Sequence, residues 1–132
     1  MSNNNIERKN ISSGSPWEDI VGYSRAVKMG NVIEVSGTAP LKDGQTLEGS
    51  LYEQTKLCLE IIQTALAKAG ATLEDVVRTR IFVTDISKWE EAGKAHGEFF
   101  GKIKPATTMV EVSRLIDDKM MVEIEATAIL RD

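Results

Sequence analysis

At 132 residues, 42% hydrophobic and 27% charged, the chain suits one ordinary globular domain with a real core and little room for a second. A formal net charge of −4, from 16 basic and 20 acidic residues with no basic run, argues against electrostatic capture of nucleic acid or of an anionic membrane. No stretch is apolar for long enough to span a bilayer, and Met1 to Asn10 lacks the apolar region of a secretory signal, so a cytoplasmic protein is expected.

From the N-terminus, residues 1–12 read as a flexible N-terminal arm and residues 13–132 as the single domain. Ser12 to Trp17, with Gly14 and Pro16, is a loop. Tyr23 to Met29 and Val32 to Ser36 are β-rich runs separated by Gly30-Asn31, a connection that closes a hairpin because glycine accepts positive φ. Thr38 to Gly49 is a polar loop containing Asp43-Gly44. Ser50 and Glu53 have capping-box spacing, and Leu51, Cys58, Ile61, Ile62, Ala65, Leu66 and Ala69 follow at helical intervals until Gly70. After a turn at Thr72 to Asp75, Val76 to Thr84 alternates as a strand. It has Val77, Thr79, Ile81 and Val83 on one side and Arg78, Arg80 and Phe82 on the other. Ser87 and Glu90 repeat the capping-box spacing before a second helix, whose buried face is marked by Trp89, Ala92, His96, Phe99, Phe100 and Ile103.

Pro105 to Ile129 supplies two final strands around a short acidic turn. In the second, Val122, Ile124, Ala126 and Ala128 share the core side, while Glu123, Glu125 and Thr127 share the other. The first carries the stripe Thr108, Val110 and Val112, which leaves Thr107, Met109 and Glu111 on the side of the two glutamates. Carboxylates two residues apart on one strand stand roughly 7 Å apart, close enough to raise each other's pKa where water is excluded. A solvated polar face, an interface edge and a ligand cleft all fit that pattern.

The order strand, strand, helix, strand, helix, strand, strand predicts an α+β sandwich, one sheet with two helices on a single face. The opposite face mixes Phe82, Met109 and Ile129 with polar groups, as a surface buried against other subunits would. Cys58, the only cysteine, excludes an internal disulfide and reads as a small buried hydrophobe. With one histidine and one cysteine there is no usual zinc set, and no phosphate-binding glycine loop is present, so neither metal nor cofactor is expected. His96, on the apolar helix face, is either a packing residue or a proton shuttle.

These segments resemble the RidA/YjgF family from about Ser13 to Leu130. The motifs that carry the resemblance are Gly22-Tyr23-Ser24-Arg25-Ala26-Val27, Gly30-Asn31 leading to Val35-Ser36-Gly37, and Arg78-Thr79-Arg80-Ile81-Phe82-Val83-Thr84-Asp85. Pro105-Ala106 ahead of Val110-Glu111-Val112-Ser113-Arg114-Leu115, and Val122-Glu123-Ile124-Glu125-Ala126, complete the set. The resemblance implies a chorismate-mutase-like fold and a homotrimer around a central barrel, with a small-molecule cleft at each subunit interface. It also implies hydrolysis of reactive enamines or imines, such as 2-iminopropionate, to a 2-oxo acid and ammonia.

By the same resemblance Glu123 orients the attacking water and Tyr23 lines the cleft, while an arginine two residues after the proline holds the substrate carboxylate. That position is Thr107 here, and an asparagine position on the second helix is Gly93, with His96 at a neighbouring aromatic one. Charge-assisted hydrogen bonds contribute roughly 1.5 to 3 kcal/mol, so a hydroxyl at 107 would hold a carboxylate on the order of ten- to a hundredfold more weakly. The candidate binding set is Tyr23, Ser36, Gly37, Thr107, Met109, Arg25 and His96, with Glu123 catalytic. Ser36 and Gly37 offer backbone contacts, and Arg25 or Arg80 either reaches the cleft as a substitute cation or pairs with Glu111, Glu123 or Glu125. Two functions stay open: a hydrolase with altered substrate preference, and a non-catalytic trimer that binds a metabolite or partner. A ribonuclease or translation inhibitor is disfavoured by the acidic balance and lone histidine.

Overall fold

The computed structural model describes residues 6–131. Its strands are β1 (Arg8–Ile11), β2 (Ala26–Met29), β3 (Val32–Thr38), β4 (Leu41–Lys42), β5 (Gln45–Thr46), β6 (Val76–Val83), β7 (Ala106–Glu111) and β8 (Val122–Ile129). Its helices are α1 (Leu51–Lys68) and α2 (Trp89–Phe100). Six strands form one sheet in the order β1-β2-β3-β8-β6-β7, and β4 and β5 form a separate small ribbon. All neighbours in the large sheet are antiparallel except β6 and β7, which run parallel because α2 lies in the crossover between them. The expected α+β architecture with a chorismate-mutase-like sheet and two main helices is therefore present.

Local sequence explains most of the frame. The β2–β3 hairpin turns at Gly30, whose φ of 61° is the positive value a type II′ turn needs at its first central residue. Asp43 and Gly44, both at positive φ, close β4 on β5. At the start of α1 the Ser50 hydroxyl accepts from the Glu53 amide at 3.1 Å, and the Ser50 amide donates to Glu53 Oε1 at 2.9 Å. At its end Gly70, at φ 84°, lets the Gly70 amide reach the Ala67 carbonyl and the Ala71 amide reach Leu66. Cys58, Leu59, Ile62 and Leu66 of α1 are then fully buried against Ile33, Ile81, Val83, Val122, Ile124 and Ala128 of the sheet. Each large side chain so buried contributes about 1.5–3 kcal/mol.

Several expectations need correction. Arg8–Ile11 is not a flexible arm: it is an edge strand pairing antiparallel with β2, and Ile11 is buried. A polar strand gives no alternation to read, since backbone pairing and one apolar side chain hold it. Residues 1–5 lie outside the described residues. A π-helical turn, Glu18–Gly22, follows the Ser12–Trp17 loop where no helix was expected. On β6 it is Val76 that is buried, while Val77 is 43% exposed, because a bulge against β8 shifts the register between Val76 and Arg78. The second capping box does not form. Asp85 instead accepts from the Ser87 amide and caps a single 3₁₀ turn, Ile86–Lys88, ahead of α2. On α2, Trp89 is exposed and Ala95 is buried in the expected face beside Ala92 and Phe100.

The largest correction concerns β7. Its register on β6 pairs Thr107 with Thr79 and Met109 with Ile81, both buried on the helix side. Thr107 and Met109 therefore lie on the helix-facing side, and Thr108 and Val110 on the open face with Arg80 and Phe82. A one-residue change of parity moves every side chain of a strand to the other face.

Candidate functional site

The open face of the sheet gathers five of the candidate residues. Arg25 sits just before β2, its amide donating to the Ile11 carbonyl and its carbonyl accepting from the Ser36 amide. That fixes its guanidinium over the sheet, where Nη2 donates to the Gly37 carbonyl at 2.6 Å and the cation lies 5.9 Å from the Tyr23 ring centroid. Gly37 falls in an irregularity of the β3–β8 ladder between Val35 and Thr38. A Cβ built there would lie 3.1 Å from the carboxyl carbon of Glu123 and overlap Oε2, so the absence of a side chain at 37 is what lets this carboxylate lie on the β3 backbone.

Glu123 is half-buried in β8 opposite Phe82 of β6. Burial raises its carboxyl above the ordinary carboxylate range, Arg25 pulls it back down, and Glu125 adds to the rise. Burial likewise lowers the Arg25 guanidinium from its usual value, against the opposing pull of Tyr23, Glu18 and Glu123. Arg25 forms no salt bridge among the described residues, and its Nε is buried with no hydrogen-bond partner. Arg80, by contrast, is held by Glu125 at 3.3 Å. Of the two cations considered as substitutes, Arg25 is the one with no ion-pair partner among the described residues, and its charge is felt at Glu123.

Tyr23 and Ser36 also border a depression of about 450 Å³ that sequence reading did not find, lined further by Arg8, Asn10, Glu18 and Ser24. Glu18 anchors its rim. Burial would raise this carboxyl, but the Ser13 hydroxyl and amide and the Ser12 hydroxyl together hold it below its ordinary value. Nothing in a single Glu between Asp and Trp announces burial; the paired serines five and six residues earlier were the only local signal. The Ser36 hydroxyl donates to the Ser24 carbonyl at 2.6 Å, which leaves it a structural tie rather than a nucleophile.

The remaining candidates, Thr107, Met109 and His96, are on the other side of the sheet. Thr107 Oγ1 lies 2.8 Å from Thr79 Oγ1, which lies 2.9 Å from His96 Nε2; Thr107 also donates to the Pro105 carbonyl at 3.1 Å. His96 packs on Phe100, with ring centroids 4.7 Å apart, and burial lowers its pKa from the ordinary value. Thr79, on the same side of β6 as Ile81 and Val83, is fully buried. Within one chain, then, Thr107 and Glu123 do not share a face. Cys58 is buried, and that burial pushes its thiol far up. Among the described residues no three His, Cys, Asp or Glu side chains are grouped to hold a metal ion, and no helix is long and apolar enough to cross a membrane.

Comparison with known proteins agrees with the fold. The family model described as Endoribonuclease L-PSP matches residues 15–130. A RutC family protein of Pyrococcus abyssi is 41% identical over 108 residues, 80% of this chain and 84% of the relative. The mitochondrial protein mmf2 of Schizosaccharomyces pombe is 35% identical over 115 residues, 87% of this chain and 86% of the relative. Among solved structures, a member of the YjgF/YER057c/UK114 family from Mycobacterium tuberculosis superposes with a TM-score of 0.87 at 51% identity, covering 94% of this chain and 100% of that one. Sheet order, helix placement and these matches lead to one conclusion: the chain belongs to the RidA/YjgF family, the group that also carries the RutC and L-PSP names.

Proposed function

We propose that the protein acts as a cytoplasmic homotrimer in which neighbouring copies cover the open sheet face, and that each interface encloses a cleft where a small imine or enamine metabolite is hydrolysed. The observation that carries this reading is the half-buried Glu123, lodged on the side-chain-free Gly37 and held above the ordinary carboxylate range near Arg25, which has no ion-pair partner among the described residues. A carboxylate whose proton affinity is raised is a better general base at neutral pH. Glu123 takes a proton from water as its oxygen bonds to the imine carbon. The same proton then passes to nitrogen to give a carbinolamine; Glu123 next moves the hydroxyl proton of that carbinolamine to nitrogen as the C=O bond forms and the C–N bond breaks, leaving an oxo compound and ammonia. Phe82, Val110 and Ile129 on the open face supply the apolar surface that neighbouring copies would cover.

In that assembly the exposed β7 edge of one copy meets the open face of the next, which would bring Thr107 to a Glu123 that its own chain holds on the opposite side. Ammonia release from enzymatically generated 2-aminoacrylate and from other imino acids, compared for the wild type and Glu123→Gln, tests the reaction. Rates at the uncatalysed background for every substrate would refute it. The absence of a guanidinium at residue 107 favours a second reading, a cleft that binds a metabolite without turning it over. There, ligand affinity would survive Glu123→Gln. The formal charge of −4 and the carboxylates on the open face support neither RNA capture nor a nuclease.

A further inference from the structure

At the β1–β2 end of the open face, the depression bordered by Tyr23 has a cation on one wall and a carboxylate on another. Ile11 is buried on the helix side of β1, and Lys9 reaches the Lys68 carbonyl on that side, so Arg8 and Asn10 belong to the open face and line the depression together. Arg8 Nε donates to Asn10 Oδ1 at 3.0 Å, and Asn10 Nδ2 donates to the Ser24 hydroxyl at 2.8 Å. These bonds hold the guanidinium in place, while its two terminal nitrogens donate to none of the described residues. The π-helical turn supplies the opposing acids, Glu18 and Asp19. Three donors from Ser12 and Ser13 occupy the Glu18 carboxylate, whereas Asp19 is exposed and has no ion-pair partner among the described residues.

We propose that this depression binds a zwitterionic α-amino acid, with Arg8 on its carboxylate, Asp19 on its ammonium group and the half-buried Val27 beneath its side chain. Arg8 and Asp19 share the depression yet form no ion pair, so their charged atoms stand more than about 4 Å apart. A volume of about 450 Å³, taken as a sphere, is roughly 9–10 Å across, within the range of small-molecule sites. An α-amino acid has its nitrogen roughly 3 Å from a carboxylate oxygen, and a hydrogen bond of about 2.8 Å at each end brings the span to roughly 8–9 Å. It therefore bridges the gap that the two side chains leave open. The guanidinium offers a carboxylate two parallel N–H donors, and an ammonium group brings Asp19 the donor it lacks. A plain carboxylate would leave Asp19 unmatched and add a third negative charge beside Glu18; a plain amine would leave Arg8 unmatched. One chain builds the whole depression, and Phe82 and Val110 lie at the other end of the sheet, so the site is independent of the proposed assembly and reaction.

The test titrates L-leucine, 4-methyl-2-oxopentanoate and isoamylamine into the purified full-length protein and follows its backbone amides by NMR. The three share a carbon skeleton, and the second lacks the ammonium group while the third lacks the carboxylate. Leucine is expected to bind about tenfold tighter than either, the effect of one charge-assisted hydrogen bond, with shifts at Ser24 and Val27 rather than at Gly37 and Glu123. Arg8→Gln should weaken leucine and the oxo acid about tenfold but not the amine; Asp19→Asn should weaken leucine and the amine but not the oxo acid. Both residues are exposed and β1 is held by backbone pairing, so the variants change charge and not folding. That crossed pattern belongs to a two-ended site, since a change of net charge alone would act on leucine hardly at all. No saturable leucine binding at tens of millimolar, an oxo acid or amine that binds as tightly as leucine, an uncrossed pattern, or shifts confined to Gly37 and Glu123 would each overturn the inference. Ammonia release from imines judges the hydrolytic reading separately. Leucine binding at Ser24 without turnover keeps this site and removes that reaction; turnover without leucine binding does the reverse.

Discussion

The two faces of one sheet treat their polar groups in opposite ways. On the open face, Arg25 and Glu123 are charged groups withdrawn from water without a salt bridge between them, and one Arg25 donor has no partner. On the helix-covered face, the side chains of Thr79, Thr107 and His96 are joined by hydrogen bonds in a chain that ends on the Pro105 carbonyl. A charge left half-buried and underpaired stores reactivity, because burial moves its proton affinity toward neutral pH. The hydrogen-bonded chain instead ties β7 and α2 to β6. The first arrangement suits chemistry, and the second holds the frame.

Glu123→Gln is the largest expected break. It keeps the shape and removes the proposed base, so turnover should fall about 10²–10⁴-fold, measured as ammonia release, while binding changes little. Gly37→Ala should come next, since its Cβ must displace the Glu123 carboxylate; turnover should fall at least tenfold, on the order of one lost hydrogen bond or more. A Gly37→Ala protein with full turnover would show that Glu123 works from another rotamer. On the opposite face, Thr79→Val leaves His96 Nε2 without its hydrogen-bond partner and should cost about 1–3 kcal/mol in chemical denaturation. It should leave the pH dependence of turnover alone.

The smallest effects are pH-dependent, and their signs differ between the two faces. Glu123 has a raised pKa in the folded protein, so its contribution to stability is present below the unfolded carboxylate pKa and is lost as pH rises through the folded one. Glu123→Gln should therefore be slightly more stable than the wild type at neutral pH, seen as a higher melting temperature, even as activity drops. His96 has a lowered pKa, so its contribution is present above the unfolded histidine value and is lost as pH falls below it. His96→Gln should flatten the wild-type loss of stability on acidification, and an NMR titration of the ring should give a midpoint below 6.5.

Much of this fold was legible because its signals are local. The Ser50–Glu53 box, the helical apolar spacing up to Leu66 and the Gly70 stop each lie within a few residues, and α1 follows them closely. The Gly30-Asn31 hairpin and the alternation of β8 are of the same kind. The open-face site was legible in part: period-2 counting puts Tyr23 and Arg25 on one face and Glu123 on the side of its strand away from the core, but only the sheet register brings them together with Ser36 and Gly37. Ser87 and Glu90 show the limit of a local signal, since the same spacing that capped α1 lost to Asp85, two residues earlier. The edge strand β1 and the turn at Glu18 gave almost no local signal, because backbone pairing and hydroxyl caps from elsewhere hold them.

Sequence alone determined the α+β order, the core stripes of α1 and β8, and the family, because each depends on periodicity or motifs carried within short segments. Tertiary structure decided which way β7 faces and hence that Thr107 belongs with Thr79 and His96 rather than with Glu123. An edge strand with weak stripes on both sides carries no parity of its own, so its side chains take the direction set by the register of the strand it pairs with.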